Sequence, residues 1–340
     1  MIIKRFILIF FVTTLAVEAA SKRCLVCEKK IRGRYLTVGE QVFCSKKCHH
    51  TILENCSQCD KKLAGKFIVS EDKKYCSKDC FETTLPECEI CAEKLMHRHI
   101  INGHIFCEYH MKGPHCGSCQ LPFSRGGELP DKRHICEKCN ETAIYDIDDG
   151  MPLFRRARFE LHKITGNKSP QIPKLRLVGR DKLEEMNNVT SITHDSMHLN
   201  GFYRRTETER NMRNGFGRVV KSSLDVKKTI YIAYALTPNT FLVTAVHEFT
   251  HDMISEFYPD LQEAPLWVQE GICQYLAAIV CNESGYKDEL GSIESSPDNV
   301  YGDGYRYFKR TLGAHDWPAI LKWIQAADVE KLAASVPRGE

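Results

Sequence analysis

The sequence predicts an α+β protein in two parts, a tandem array of small treble-clef zinc fingers followed by a larger domain with its own core. Two observations predict it. Fifteen of the seventeen cysteines fall between Cys24 and Cys139, and the motif His247-Glu248-Phe249-Thr250-His251 lies far downstream in a helical pattern, with Glu270 after a gap of eighteen residues. Roughly 200 residues beyond the array are enough for one hydrophobic core of ordinary size. The array is too small to build such a core, so its metals must supply its folding energy.

In chain order, residues 1–5 are basic, 6–17 form a short apolar run, and Val17-Glu18-Ala19 offers a small-x-small cleavage site. Residues 1–19 therefore read as a signal peptide, which predicts a secreted or periplasmic protein. The twelve residues of that run are too few for a membrane span.

Residues 20–82 read as two zinc-knuckle units and 83–140 as a finger pair. The four ligand sets are Cys24, Cys27, Cys44 and Cys48; Cys56, Cys59, Cys76 and Cys80; Cys88, Cys91, Cys107 and His110; and Cys116, Cys119, Cys136 and Cys139. Each supplies the four ligands of a structural zinc, with a hairpin pattern between its pairs, as in GRYLTVGEQVFC. Disulfides are the competing reading, because an exported chain meets an oxidising compartment. The constant gap between pairs, and a histidine in the last position of the third set, favour metal.

Net charge is only +3. Residues 20–140 carry 21 Lys and Arg against 15 Asp and Glu, a formal +6 that fifteen thiolates with four divalent ions bring to −1. Nucleic acid is therefore not an expected partner. A protein partner is.

Further on, 142–163 reads as a linking helix and 174–178 as a strand, and 187–221 is polar and reads as strands and loops. The run 229–236 (TIYIAYAL) predicts a short strand bordering a cleft, its edge offered to an extended peptide. Thr237-Pro238 is an N-cap followed by proline at the first helical position. Leu242, Val246, Phe249, Met253 and Phe257 then recur at helical spacing, on a buried face opposite the histidines. A second helix over 264–280 carries Glu270 inside Trp-Val-Gln-Glu-Gly. His194 and His198 repeat the histidine spacing without a glutamate or an apolar flank, and read as surface. Cys273 and Cys281 read as apolar core.

The chemistry follows from spacing. Two histidines four apart lie one helical turn from each other and can share one zinc, with Glu270 as third ligand and a fourth position left open, as a catalytic rather than structural zinc requires. Glu248 is placed as general base. An oxyanion donor is expected from Tyr301, Tyr305 or Arg306 in YGDGYR, whose glycines would permit a tight turn, and Tyr305 is the first choice. The alternative for that motif is a structural Asp303–Arg306 ion pair.

HEFTH, the eighteen-residue gap and WVQEG resemble the gluzincin metallopeptidase pattern. EGICQYLA and YGDGYR, with the two finger units ahead of them, resemble the plant LIM-domain peptidases that limit organ size and are activated by ubiquitin. The resemblance covers roughly residue 88 to the C-terminal region. It implies a LIM-like pair beside a zinc metallopeptidase domain over 141–340 that makes limited cuts in protein substrates, with one catalytic and about four structural Zn2+. No ubiquitin-interacting helix precedes the fingers. Gln274 stands where many gluzincins carry an aspartate that orients a zinc-bound histidine, and its carbonyl can accept the same bond. A second function class is a metal-stapled scaffold with a vestigial peptidase fold. The intact Glu248, which a scaffold has no need of, favours the enzyme.

Overall fold

The finger units repeat one local design. A hairpin is followed by a short helix in each: β1 (Leu36–Val38) and β2 (Gln41–Phe43) precede α1 (Lys46–Ile52), and β3 (Ile68–Ser70) and β4 (Lys73–Tyr75) precede α2 (Lys78–Glu82). Next, β5 (His99–Ile101) and β6 (His104–Phe106) precede α3 (Glu108–Met111), and β7 (Gly126–Glu128) and β8 (His134–Cys136) precede α4 (Glu137–Asn140). The residue after each second knuckle cysteine, Glu28, Asp60, Ala92 and Gln120, adopts positive φ of 58°, 60°, 58° and 64°. Non-glycine residues accept this costly conformation only where the surroundings dictate it. Here they do, since the backbone N–H of that residue donates to the carbonyl of the first cysteine in every unit. Ser45 and Ser77 cap α1 and α2 by accepting from the Cys48 and Cys80 amides, which explains FCSKKC and YCSKDC.

The computed structural model describes residues 22–189, 199–213, 219–313 and 316–326. The expected signal peptide, and His194 and His198, lie outside them. Contacts divide the described residues into two units that meet at 98/99, inside the third cysteine unit. In the first part, the core of each complete unit is four residues: Cys24, Ile31, Leu36 and Phe43, or Cys56, Leu63, Tyr75 and Phe81. Burial gives about 1.5–3 kcal/mol per such side chain. Ordering some thirty residues costs about 1 kcal/mol or more each. These units cannot fold on apolar burial alone.

The second part has a larger core around helices α5 (Ile147–Thr165), α7 (Pro238–Phe257) and α8 (Leu266–Ser284). Its sheet has β9 (Lys174–Val178), β10 (Gly201–Arg213) and β11 (Val219–Ala233) in the order β10-β11-β9. The pair β10/β11 is antiparallel, with Gly201 opposite Ile232, and β11/β9 is parallel. The strand expected at 229–236 is therefore the end of a longer, central strand with both edges occupied. Among the described residues β10 and β9 are the two edge strands, and β10 is the one whose Gly201 lies against Glu248 of α7. Part of the polar stretch is helical: α6 spans Arg180–Val189. Helices α9 (Lys287–Ser295), α10 (Tyr301–Leu312) and α11 (Trp317–Ala326) complete the description.

Two expectations need correction here. The metal-motif helix α7 is buried on nearly every side, including His247, Glu248, Thr250 and Asp252, so it has no solvent face opposite an apolar stripe. Phe257, one turn past Met253, has left the core and is 39% exposed. The YGDGYR segment opens α10 instead of forming a turn. A Cβ on Gly304 would lie 2.9 Å from the Gly271 Cα, so these two glycines let α8 and α10 approach backbone to backbone. Among the described residues no helix is long and apolar enough to cross a membrane.

Candidate functional site

Three cysteine quartets lie complete within one part of the chain: Cys24, Cys27, Cys44 and Cys48; Cys56, Cys59, Cys76 and Cys80; and Cys116, Cys119, Cys136 and Cys139. In each, the four sulfurs lie within 4.8 Å of one another. Adjacent sulfurs such as Cys27–Cys44 and Cys44–Cys48 are 3.6 and 3.5 Å apart. A disulfide needs about 2.05 Å, while thiolates about 2.3 Å from a tetrahedral zinc stand roughly 3.8 Å from each other. The quartets fit a metal such as zinc, and all these cysteines are free. Backbone N–H groups of Cys27 and Cys44 draw the Cys24 thiol down to about 6. Hydrogen bonds made by the Cys44 thiol with Cys48, to which it donates, and with Cys27 push it up to about 12. Thiols so crowded share protons that a divalent cation replaces. The third ligand set is divided by the boundary at 98/99. Its halves are a knuckle turn, with the Ala92 amide donating to the Cys88 carbonyl at 2.8 Å, and Cys107 Sγ 3.1 Å from His110 Nδ1.

A different donor set forms in the core of the second part. One turn of α7 carries His247 and His251, with ring centroids 5.1 Å apart. From α8, Glu270 Oε2 reaches His247 Nε2 at 2.9 Å and His251 Nε2 at 3.4 Å. Ligand atoms about 2.0–2.1 Å from a tetrahedral ion are separated by roughly 3.3 Å, so these three atoms fit one zinc. Cys273 also belongs to the cluster, since its sulfur lies within 4.8 Å of an imidazole nitrogen of each histidine. It faces the other side of His251, 3.6 Å from Nδ1. His247, His251 and Glu270 would therefore hold a metal, and Cys273 would hold the back of the His251 ring. Cys273 is thus more than apolar core, and it fills the place expected for Gln274, which lines the cleft instead.

The two glutamates are tuned apart. Burial alone would raise Glu270, but the charge of His251 and the hydrogen bond with His247 hold it far below the usual carboxylate range. Burial raises Glu248, outweighing the two imidazoles. Such a pair offers one carboxyl that favours ionisation, as a metal ligand needs, and one that favours its proton, as an acid–base group needs. Glu248 is fixed from β10: the Tyr203 amide donates to it, and Gly201 lies so close that a Cβ there would sit 2.8 Å from the Glu248 Cγ.

Behind the motif, Lys228 of β11 pairs with Asp252 at 2.9 Å and Glu256 at 2.6 Å, and the Tyr203 hydroxyl donates to Asp252 at 3.0 Å. Sequence reasoning missed this network, which pins sheet to helix. Its signal was a lysine just before the apolar end of a strand run and an aspartate directly after His251.

The cleft beside Glu248 is lined by Asn200, Gly201, Thr244, Gln274 and Tyr301, among others. Tyr301, not Tyr305, faces it. The Tyr301 ring centroid is 5.8 Å from that of His247, and burial, followed by the charges of Glu270 and Glu248, keeps its hydroxyl protonated. Tyr305 is fully buried with its hydroxyl 3.3 Å from Glu294. Arg306 is used structurally, bonding Asp303 and the Ser296 carbonyl at 2.6 Å each.

No protein-family model matches this chain, and no curated protein matches it either.

Proposed function

We propose that this chain is a zinc-dependent metallopeptidase that makes limited cuts in protein substrates. The observation that supports the reading is a buried carboxyl, Glu248, held by the edge strand β10 directly beside a His247/His251/Glu270 donor set. Zinc in that set supplies a Lewis acid that polarises a carbonyl and acidifies a water.

The protein's own groups do the rest. The edge of β10 beginning at Gly201 pairs with an extended substrate. Glu248 takes a proton from the attacking water and passes it to the leaving amine. The Tyr301 hydroxyl donates to the oxygen that becomes negative. Cys273 keeps the His251 ring in orientation, and the Lys228–Asp252 pair fixes the helix against the sheet. The finger units of residues 22–98 supply a protein-recognition surface, raising the local concentration of a bound substrate. The signal-like residues 1–19 support a secreted or periplasmic setting.

The test separates base from ligand. Glu248→Gln should retain the metal and the fold while hydrolysis falls by at least a hundredfold. Glu270→Ala should lose one zinc per chain as well. Wild-type peptide cleavage by Glu248→Gln would overturn the reading.

A further inference from the structure

The fourth cysteine unit is not attached to the rest of the second part by a linker alone. Its knuckle turn reaches the start of the metal-motif helix: Ser118, only 3% exposed, accepts a hydrogen bond at 2.9 Å from the amide of Thr237, the N-cap of α7. The Thr237 hydroxyl bonds the Thr240 hydroxyl at 2.9 Å and caps no helix amide, while the finger supplies the partner of the Thr237 backbone amide. Ala235 is buried in the finger's own small core with Cys116, Leu129, Ile135, Cys136 and Cys139. Arg133, paired with Asp131 at 2.8 Å, donates to the Tyr234 carbonyl at 2.8 Å. Residues 234–237 are therefore gripped by the finger at three successive points before α7 begins.

The same turn continues into the cleft. Ser118, Cys119 and Gln120 line it together with Gly201 and Glu248. Gln120, in the left-handed conformation that every knuckle in this chain uses, accepts a hydrogen bond at 2.9 Å from Ser292 of α9. That bond anchors the finger to α9. A wall carrying a hydroxyl and a carboxamide offers hydrogen bonds to whatever passes along it.

We infer that the knuckle turn Ser118-Cys119-Gln120 is a working part of the active site, with Gln120 contacting the substrate side chain next to the scissile bond and Ser118 positioning the metal-motif helix. The inference rests on the peptidase reading for its substrate, but not for its structural coupling. Gln120 favours hydrogen-bonding side chains in the peptide. The metal site at Cys116, Cys119, Cys136 and Cys139 then governs the shape of the cleft, because Cys119 lies in the turn and Cys116 two residues before it.

The experiment uses the full chain with four substitutions, and reads zinc content by native mass spectrometry, amide exchange over residues 234–241, and peptide-library kinetics. Gln120→Ala should keep every zinc and its unfolding temperature, raise KM about fivefold for peptides with polar side chains beside the cut, and leave kcat within twofold. Ser118→Ala should also keep every zinc, yet speed exchange of the Thr237 amide about tenfold and lower kcat, with Ser118→Thr restoring both. Cys119→Ser should lose one zinc and show both changes. Unaltered peptide preference in Gln120→Ala would overturn the substrate contact. Unaltered Thr237 exchange in both Ser118→Ala and Cys119→Ser would overturn the coupling. If the wild-type chain cleaves no peptide, the peptidase reading fails and the substrate contact with it, and the exchange and zinc measurements still decide the coupling.

Discussion

Gly201→Ala is the perturbation that tests the site most directly, because it changes neither a metal ligand nor a proton carrier. Gly201 begins β10 opposite Ile232, and its φ lies outside the left-handed region, so alanine suits its backbone. The difficulty is space. The new methyl would sit 2.8 Å from both Glu248 Cγ and Thr244 Cγ2, and closer still to the Glu248 carboxylate. Restoring ordinary van der Waals contact requires a shift of about 1 Å, in either the glutamate or the strand. A misplacement of that size costs about a hundredfold in rate, which corresponds to about 2.7 kcal/mol of barrier. Overpacking should cost about 1–3 kcal/mol of stability as well. Steady-state hydrolysis of a short peptide, alongside zinc content and thermal unfolding, separates these effects. We expect zinc content unchanged, kcat lowered about a hundredfold and KM within a fewfold of wild type. In a Glu248→Gln background the alanine should cause little further loss, since both changes disable one group. A folded, zinc-replete Gly201→Ala enzyme within twofold of wild-type kcat would refute the placement of Glu248 as base.

Native mass spectrometry of the purified chain should find five zinc ions, four in the cysteine array and one at His247, His251 and Glu270; about one zinc, with a mass reduced by many lost thiol hydrogens, would mean disulfides instead. The hydrogen bond from Lys228 is the main cause that holds Glu256 below the usual carboxylate range, so its contribution to stability is full above the unfolded-state pKa and is lost as pH falls through the folded one. Glu256→Gln should therefore lose less unfolding free energy than wild type between pH 7 and pH 4 in denaturant titrations, and equal losses would show that the Lys228 pairing carries no such linkage. Deleting residues 20–82 should spare short-peptide hydrolysis while slowing cleavage of the protein substrate severalfold; equal rates on that substrate would remove the recognition role from the first two units.

What the sequence made legible was local. The motif helix and the strand Lys174–Val178 were read correctly because an N-cap, a proline at the first helical position and the polar–apolar alternation of KLRLV are signals contained in the segment itself. The ligand quartets were legible for the same reason, their spacing being a property of one short loop. Whether residues 229–236 lie at an edge was not legible, because that depends on pairing with β10, whose polar sequence carries no clear alternation. Tyr301 and Tyr305 lie four apart on one helix, so periodicity gives them the same face. About 6 Å of rise along the axis takes the first to the cleft and the second to the interior. The glycines between them were misread as a turn, because a close helix crossing and a turn both call for glycine.

The repeat itself conceals the largest difference. The four cysteine units share a knuckle, a left-handed residue after it and a hairpin, and in spacing the fourth unit is close to the first and second. The fourth is nevertheless bound to residues 234–237 through Ser118, Arg133 and the core that includes Ala235. The corresponding places after the first knuckle cysteine in the first and second units hold Val26 and Gln58, neither of which offers a hydroxyl. Metal ligation constrains four positions per unit and leaves the residues between them free, so a unit can become part of an active site without disturbing its zinc. Ligand spacing identifies a finger, while the residues inside its turn decide what that finger touches. In this chain Ser118 and Gln120 occupy that turn, and through them a structural metal site acquires a place beside Glu248.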